Sequence, residues 1–245
     1  MVVIGPLGHH RLVRRTFTLV VLVLLLASSV PAEVAASPSP AASNLVRPAA
    51  VAGLGFRADI SELSPQLRAR MTGSSWRRGC PVPLDDLRLI RLRHWGFDDE
   101  VHGGKLVVHR WFADELADVF GALFDARFPI RRMFLVDRYG ADDMRSMRAD
   151  NTSAFNCRYR NGVCCTWSMH AYGKAIDINP VENPYVGPWG VSPPNGDAYV
   201  DRSPVRRGMI ERGDVVWSGF DAMGWPWGGS WTNVKDYQHF SPNGR

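Results

Sequence analysis

Beyond residue 36 the chain keeps five histidines: His94, His102, His109, His170 and His239. Most histidines sit on surfaces or cap turns, and such roles suffice for most of these. His170 differs in its surroundings. The stretch Ser168-Met169-His170-Ala171-Tyr172-Gly173-Lys174-Ala175-Ile176-Asp177 sets an imidazole on a loop and a carboxylate on the strand that follows. Gly173 permits a tight turn between them, so both side chains can converge. A carboxylate inside the Ile176-Asp177-Ile178 run is costly to bury unless it is paired or bound to a cation. A second imidazole must come from elsewhere, and His239 is the best candidate. Two His and one Asp leave a fourth position on zinc open to water, whereas a closed structural site would want four ligands, which cysteines could supply. Asp236, three residues before His239, offers that water a base. In a helical turn the two side chains share a face, and in a strand they do not. On spacing alone, a metal hydrolase and a set of surface histidines stand as equal readings.

The elements that must position these groups follow from pattern. Ser64-Pro65 reads as the N-cap and first position of a short helix. Leu87 to Arg93 reads as a strand, and Gly103-Gly104 as a hairpin turn between Val101-His102 and Lys105 to His109. Phe112, Leu116, Val119, Phe120, Leu123 and Phe124 recur at helical spacing, with Pro129 closing that helix. Met133 to Val136 reads as a buried strand. Lys174 to Asn179 alternates, with Ile176 and Ile178 on one face and Ala175, Asp177 and Asn179 on the other. Asp214 caps a further short helix. Residues 142 to 195 are rich in Asn, Gly, Pro and Cys, and a long irregular stretch inside a compact domain is usually functional or disordered. Helices and hairpins without βαβ alternation imply an α+β fold: a single domain with a small antiparallel sheet packed by helices, the metal site on the sheet and adjacent loops.

Arg11, Arg14 and Arg15 precede an apolar run from Leu19 to Ala27, followed by small residues and prolines. This is the pattern of a secretory signal over 1–36, too short for a membrane span. An Ala/Pro/Ser-rich linker over 37–53 follows, leaving 54–245 for the domain. The formal charge of +5 (29 Lys+Arg against 24 Asp+Glu) loses three arginines and Glu33 with the signal, leaving 26 against 23. That balance, without a dense basic stripe, argues against nucleic acid. A hydrophobic fraction of 45% excludes a disordered chain. Export allows Cys80, Cys157, Cys164 and Cys165 to form disulfides. A vicinal Cys164–Cys165 bridge would be strained, and Cys80 with Cys157 is the favoured pair. His102 and His109 flank the expected hairpin, where simple exposure is a commoner role than a second metal site. Trp217, Trp225, Trp227 and Trp231 read mainly as core, and Asn151-Thr152-Ser153 as a chance glycosylation sequon.

The pattern Ser168-x-His170-x-x-Gly173-x-Ala175-x-Asp177, with Asp236-x-x-His239 near the C-terminus, resembles the zinc D-alanyl-D-alanine carboxypeptidases. That family includes VanY-like enzymes and L-alanyl-D-glutamate endopeptidases. The run Trp225-Pro226-Trp227-Gly228-Gly229 is similar to the endopeptidase branch, and the resemblance covers about Cys80 to Phe240, most strongly after Asp142. It implies Zn²⁺ held by His170, Asp177 and His239, with Asp236 as the catalytic base. It also implies an upstream arginine that grips a substrate carboxylate. Arg158 is the choice for that role, with Arg145 and Arg148 as rivals, because guanidinium meets a carboxylate with two parallel hydrogen bonds. Ser168 would touch substrate or cap the loop. The function so implied is a secreted, wall-associated, monomeric peptidase acting on peptidoglycan stem peptides. The rival readings are a non-catalytic module that keeps the zinc and holds wall peptides, and a peptidase for another small D-amino-acid peptide.

Overall fold

The computed structural model describes residues 55–160 and 165–244. The signal, the linker and Cys164 lie outside those residues. The described part falls within one unit, residues 50–245. Among the described residues no helix is long and apolar enough to cross a membrane.

The first half is a meander of β1 (Ala58–Glu62), β2 (Leu87–Trp95) and β3 (Val101–His109), antiparallel and in chain order. Side chains alternate across a strand, so each face carries its own apolar set. Ile90, Leu92, Leu106 and Val108 face α2 (Ala113–Asp125), whose Leu116, Val119, Phe120 and Leu123 supply the stripe expected of them. Leu87, Leu89 and Val107 face the other way, onto Leu63, Met71 and Phe155. Met71 ends α1 (Pro65–Met71), which Ser64 caps by accepting the Leu67 amide. Asp114 and Glu115 lie in the first turn of α2, where carboxylates favour the helix dipole.

The hairpin turn is not at Gly103-Gly104, which lie inside β3. The chain reverses at residues 96–100, where Gly96 N–H donates to Glu100 O and Asp99 takes a left-handed φ of 61°. Gly104 serves packing instead: a Cβ there would sit 2.4 Å from the Met133 sulfur. Nor do Met133 to Val136 form a strand. Met133 and Val136 are buried, but the Lys105 amide donating to Met133 O replaces a ladder, and Val136 opens a 3-10 turn to Tyr139.

In the second half, β4 is only Ile176–Asp177, pairing antiparallel with β8 (His239–Phe240) so that Asp177 stands opposite His239. A three-stranded sheet holds β5 (Tyr185–Gly187) between β6 (Gly190–Ser192) and β7 (Lys235–Asp236). The helix α3 (Asp143–Arg148) is short, and α4 (Val215–Ala222) starts at Asp214, whose Oδ1 accepts the Trp217 amide. Phe220 of α4 stacks on Phe240 of β8 at 4.2 Å, and both belong to the α2 core. Each fully buried aromatic contributes roughly 1.5–3 kcal/mol, so the β4–β8 pair rests on the best-packed part of the molecule. Cys80 and Cys157 form a disulfide, the pairing favoured from sequence. The architecture is α+β with small antiparallel sheets packed by a few helices, as the patterning implies.

Candidate metal centre

Ser168 Oγ accepts the His170 amide and opens a 3-10 turn, Met169–Tyr172, that Gly173 ends at φ 66°. Of the two roles weighed for Ser168, this contact is the capping one. The carbonyl of Gly173 accepts the His109 amide at the end of β3, which anchors the turn to the first sheet. His170 Nδ1 lies 2.6 Å from Ala154 O, so the ring donates there and turns Nε2 inward. On β4, Asp177 reaches both imidazoles: Oδ2 is 3.0 Å from His170 Nε2 and Oδ1 is 2.9 Å from His239 Nδ1. His239 Nε2 contacts Ser241 Oγ at 3.1 Å. The three ligating atoms lie within 4.8 Å of one another, and all three side chains are buried.

The electrostatics follow from this burial. Desolvation would raise the Asp177 carboxyl, but the charges of His170 and His239, with the hydrogen bond from His239, hold it well below the usual carboxylate range. Burial would lower His239, yet Asp177 and Asp236 leave it raised. Asp236, on β7, is pushed up to about 6 by burial, with His239 opposing and Asp177 adding to the rise. Its Oδ1 is buried without a hydrogen-bond partner among the described residues. His170 Nε2 is likewise unpartnered, because its approach to Asp177 has the wrong angle for a hydrogen bond. Two imidazole nitrogens and a carboxylate converging in a dry site, one nitrogen unsatisfied, make a donor set that suits a divalent cation such as zinc. Asp236 and His239 occupy two different strands, β7 and β8, rather than the helical turn that would have set them on one face.

Arg158 accepts the Ser168 amide at its carbonyl, next to an antiparallel bridge between Tyr159 and Trp167, whose rings stack at 4.2 Å. Its guanidinium pairs with Asp143 Oδ2 at 2.9 Å, its Nε is buried and unpartnered, and its charge lowers the proton affinity of His239. Arg145 and Arg148 are exposed on α3. Sequence reasoning missed the supporting groups Ala154 O, Ser241 and Asp143. A backbone carbonyl leaves no residue-type signal, and Asp143 is defined only by the fold.

The remaining candidates separate from the centre. His102 and His109 stand at opposite ends of β3, about 23 Å apart at strand rise, so they share no ion. His102 pairs with Asp98, and His109 accepts the Trp111 amide. Trp225 and Trp227 are core residues, as expected, while Trp231 sits 6.0 Å from the His239 ring. Asn151 is wholly buried and bonded to the Phe134 backbone, which removes it as a glycan acceptor in the folded chain.

Comparison with family models matches residues 164–242 to the family described as D-alanyl-D-alanine carboxypeptidase. The matched stretch, about a third of the chain, contains Ser168, His170, Asp177, Asp236 and His239 and excludes Arg158. No curated protein and no solved structure matches. The resemblance read from the motifs therefore stands over this region, and it supports a hydrolase of the peptidase class.

Proposed function

We propose that the chain is an exported zinc metallopeptidase that hydrolyses peptidoglycan stem peptides, of the D-Ala-D-Ala carboxypeptidase or L-Ala-D-Glu endopeptidase type. The observation that carries this reading is the buried His170–Asp177–His239 cluster, with Asp236 Oδ1 unpartnered beside it. His170, Asp177 and His239 would hold the metal. When bound, such an ion polarises the scissile carbonyl and lowers the pKa of its water towards ~7.

The chain's own residues supply the rest. Ala154 O and Ser241 Oγ fix which nitrogen each ring presents to the site. Asp236 takes a proton from the attacking water at its unpartnered Oδ1 and returns it to the leaving amine nitrogen. Arg158, steadied by Asp143, grips a substrate carboxylate and sets the peptide across the site. The family match supports the reaction class, and the Cys80–Cys157 bridge suits an oxidising compartment. Digestion of purified wall fragments with and without a chelator, followed by mass analysis, tests the proposal. Cleavage abolished by the chelator and restored by zinc is expected. Cleavage that ignores the chelator overturns it, and binding without cleavage supports the non-catalytic module instead.

A further inference from the structure

The α1 side of the first sheet carries a basic cavity of about 530 Å³ that plays no part in the metal centre. Four cations from four elements line it: Arg70 of α1, Arg91 of β2, Lys105 of β3 and Arg138 of the 3-10 turn Val136–Tyr139. No acidic residue lines it. Elsewhere in the first half of the fold, arginines are paired: Arg68 with Asp85, Arg88 with Glu62, Arg110 with Asp86. Inside the cavity only Arg91 has such a partner, Asp59 at 3.0 Å. Arg70, Lys105 and Arg138 make no salt bridge among the described residues.

The arrangement opposes stability. Arg91 and Lys105 are direct partners in the β2–β3 register, and like charges opposite one another destabilise a sheet. Arg138 is held in place by stacking at 4.3 Å over Phe134, which also lines the cavity. Four exposed cations, three of them without a salt-bridge partner among the described residues, describe a surface shaped for an anion.

We propose that this cavity binds a phosphoryl group. A carboxylate brings a single charge, whereas a phosphate ester brings about −1.5 to −2 and three acceptor oxygens, enough for several of these cations at once. Guanidinium forks grip phosphate with paired hydrogen bonds, and the lysine ammonium adds a compact point charge. Free phosphate monoesters bring this charge on one group, and a phosphodiester polymer, with one charge at each phosphate, brings it through successive units along its chain.

Titration calorimetry on the full chain, with its metal, against inorganic phosphate, glycerol phosphate and a glycerol-phosphate polymer tests the assignment. Succinate serves as the carboxylate control. The wild type binds the phosphates more tightly than succinate, and binding weakens as salt is raised because these charges face solvent. Tighter binding of the polymer identifies it as the source, and equal binding of glycerol phosphate identifies the free ester. Lys105→Gln with Arg138→Gln keeps the side-chain stems and weakens phosphate binding by about tenfold or more. Hydrolysis of wall peptides stays unchanged in that variant, and the unfolding midpoint does not fall, because Lys105→Gln also removes the like charge opposite Arg91. Phosphate binding that survives the double substitution puts the anion elsewhere and overturns the proposal, as does succinate binding equally well. Because neither outcome depends on hydrolysis, the test stands apart from the fate of the peptidase reading.

Discussion

Replacing Gly173 by alanine strikes the fold and the candidate centre through one atom. Gly173 adopts φ 66°, a left-handed conformation that costs a side-chain-bearing residue roughly 1–2 kcal/mol. The added Cβ would lie 2.6 Å from the His109 nitrogen and 3.1 Å from the Val108 carbonyl carbon, so backbone must move. The first contact to yield is the 2.8 Å bond from the His109 amide to Gly173 O, whose loss costs about 1 kcal/mol. With the strain, Gly173→Ala loses about 3 kcal/mol of stability. Gly224 at the end of α4 is the control: its φ of 71° is similar, but a Cβ there meets nothing within 4 Å. Gly224→Ala loses only the conformational cost, about 2 kcal/mol. Denaturant unfolding of both variants measures the difference, and zinc titration reads the second effect. The turn ended by Gly173 carries His170, so Gly173→Ala weakens metal binding while Gly224→Ala does not. Equal losses of stability in the two variants would refute the argument that backbone contact, rather than dihedral strain alone, fixes this turn.

Asp236→Asn retains zinc and loses hydrolysis by about 10²–10⁴-fold, as loss of an acid–base group predicts, and metal content beside a peptide-release assay checks both. His170→Ala and His239→Ala, by contrast, lose metal and activity together. Replacing Cys80 and Cys157 by serine frees a segment 77 residues long and lowers stability by up to about 4 kcal/mol in the chain-entropy account, read from the denaturation midpoint. Away from the centre, Glu182 is buried beside Asp150, with Arg131 3.6 Å away, and burial followed by the Asp150 carboxyl pushes it up to about 8. A carboxyl raised in the folded state gives stability that is full below its unfolded pKa and is lost as pH rises towards about 8. Wild type therefore falls relative to Glu182→Gln by up to about 1.4 kcal/mol per pH unit between pH 5 and 8, and parallel curves would refute the pairing.

What was legible in the sequence was local. The Gly173 turn and the burial of Asp177 involve residues within ten positions and appear as read, while Ser168, open between capping and substrate contact, makes the capping bond. The α2 stripe was legible for the same reason. Asp236 and His239 were not placed by spacing, because their convergence comes from two strands held by different partners, β5 and β4. The resemblance to a family named those residues, and the register explains how they meet. The glycine pair at 103–104 reads as a turn because glycine punctuates turns, yet Gly104 lies inside β3 and makes room for the distant Met133. The Asp143 contact to Arg158 is likewise tertiary and leaves no pattern.

The disulfide and the His170–Asp177–His239 cluster close consecutive stretches of chain. One runs from residue 80 to 157 and the other from 170 to 239, side by side in sequence and never nested. The disulfide restrains its stretch even in the unfolded chain, whereas the cluster ties its stretch only in the folded state, so neither substitutes for the other. A thiol reductant loosens the first stretch, which includes the β2–β3 hairpin and α2, and leaves the second tied. With a metal bound at the cluster, as proposed, a chelator would act on the second, where β4, α4 and β8 lie. Limited proteolysis under each reagent would then open different halves of the same molecule, turning two fasteners into separate handles on its two ends.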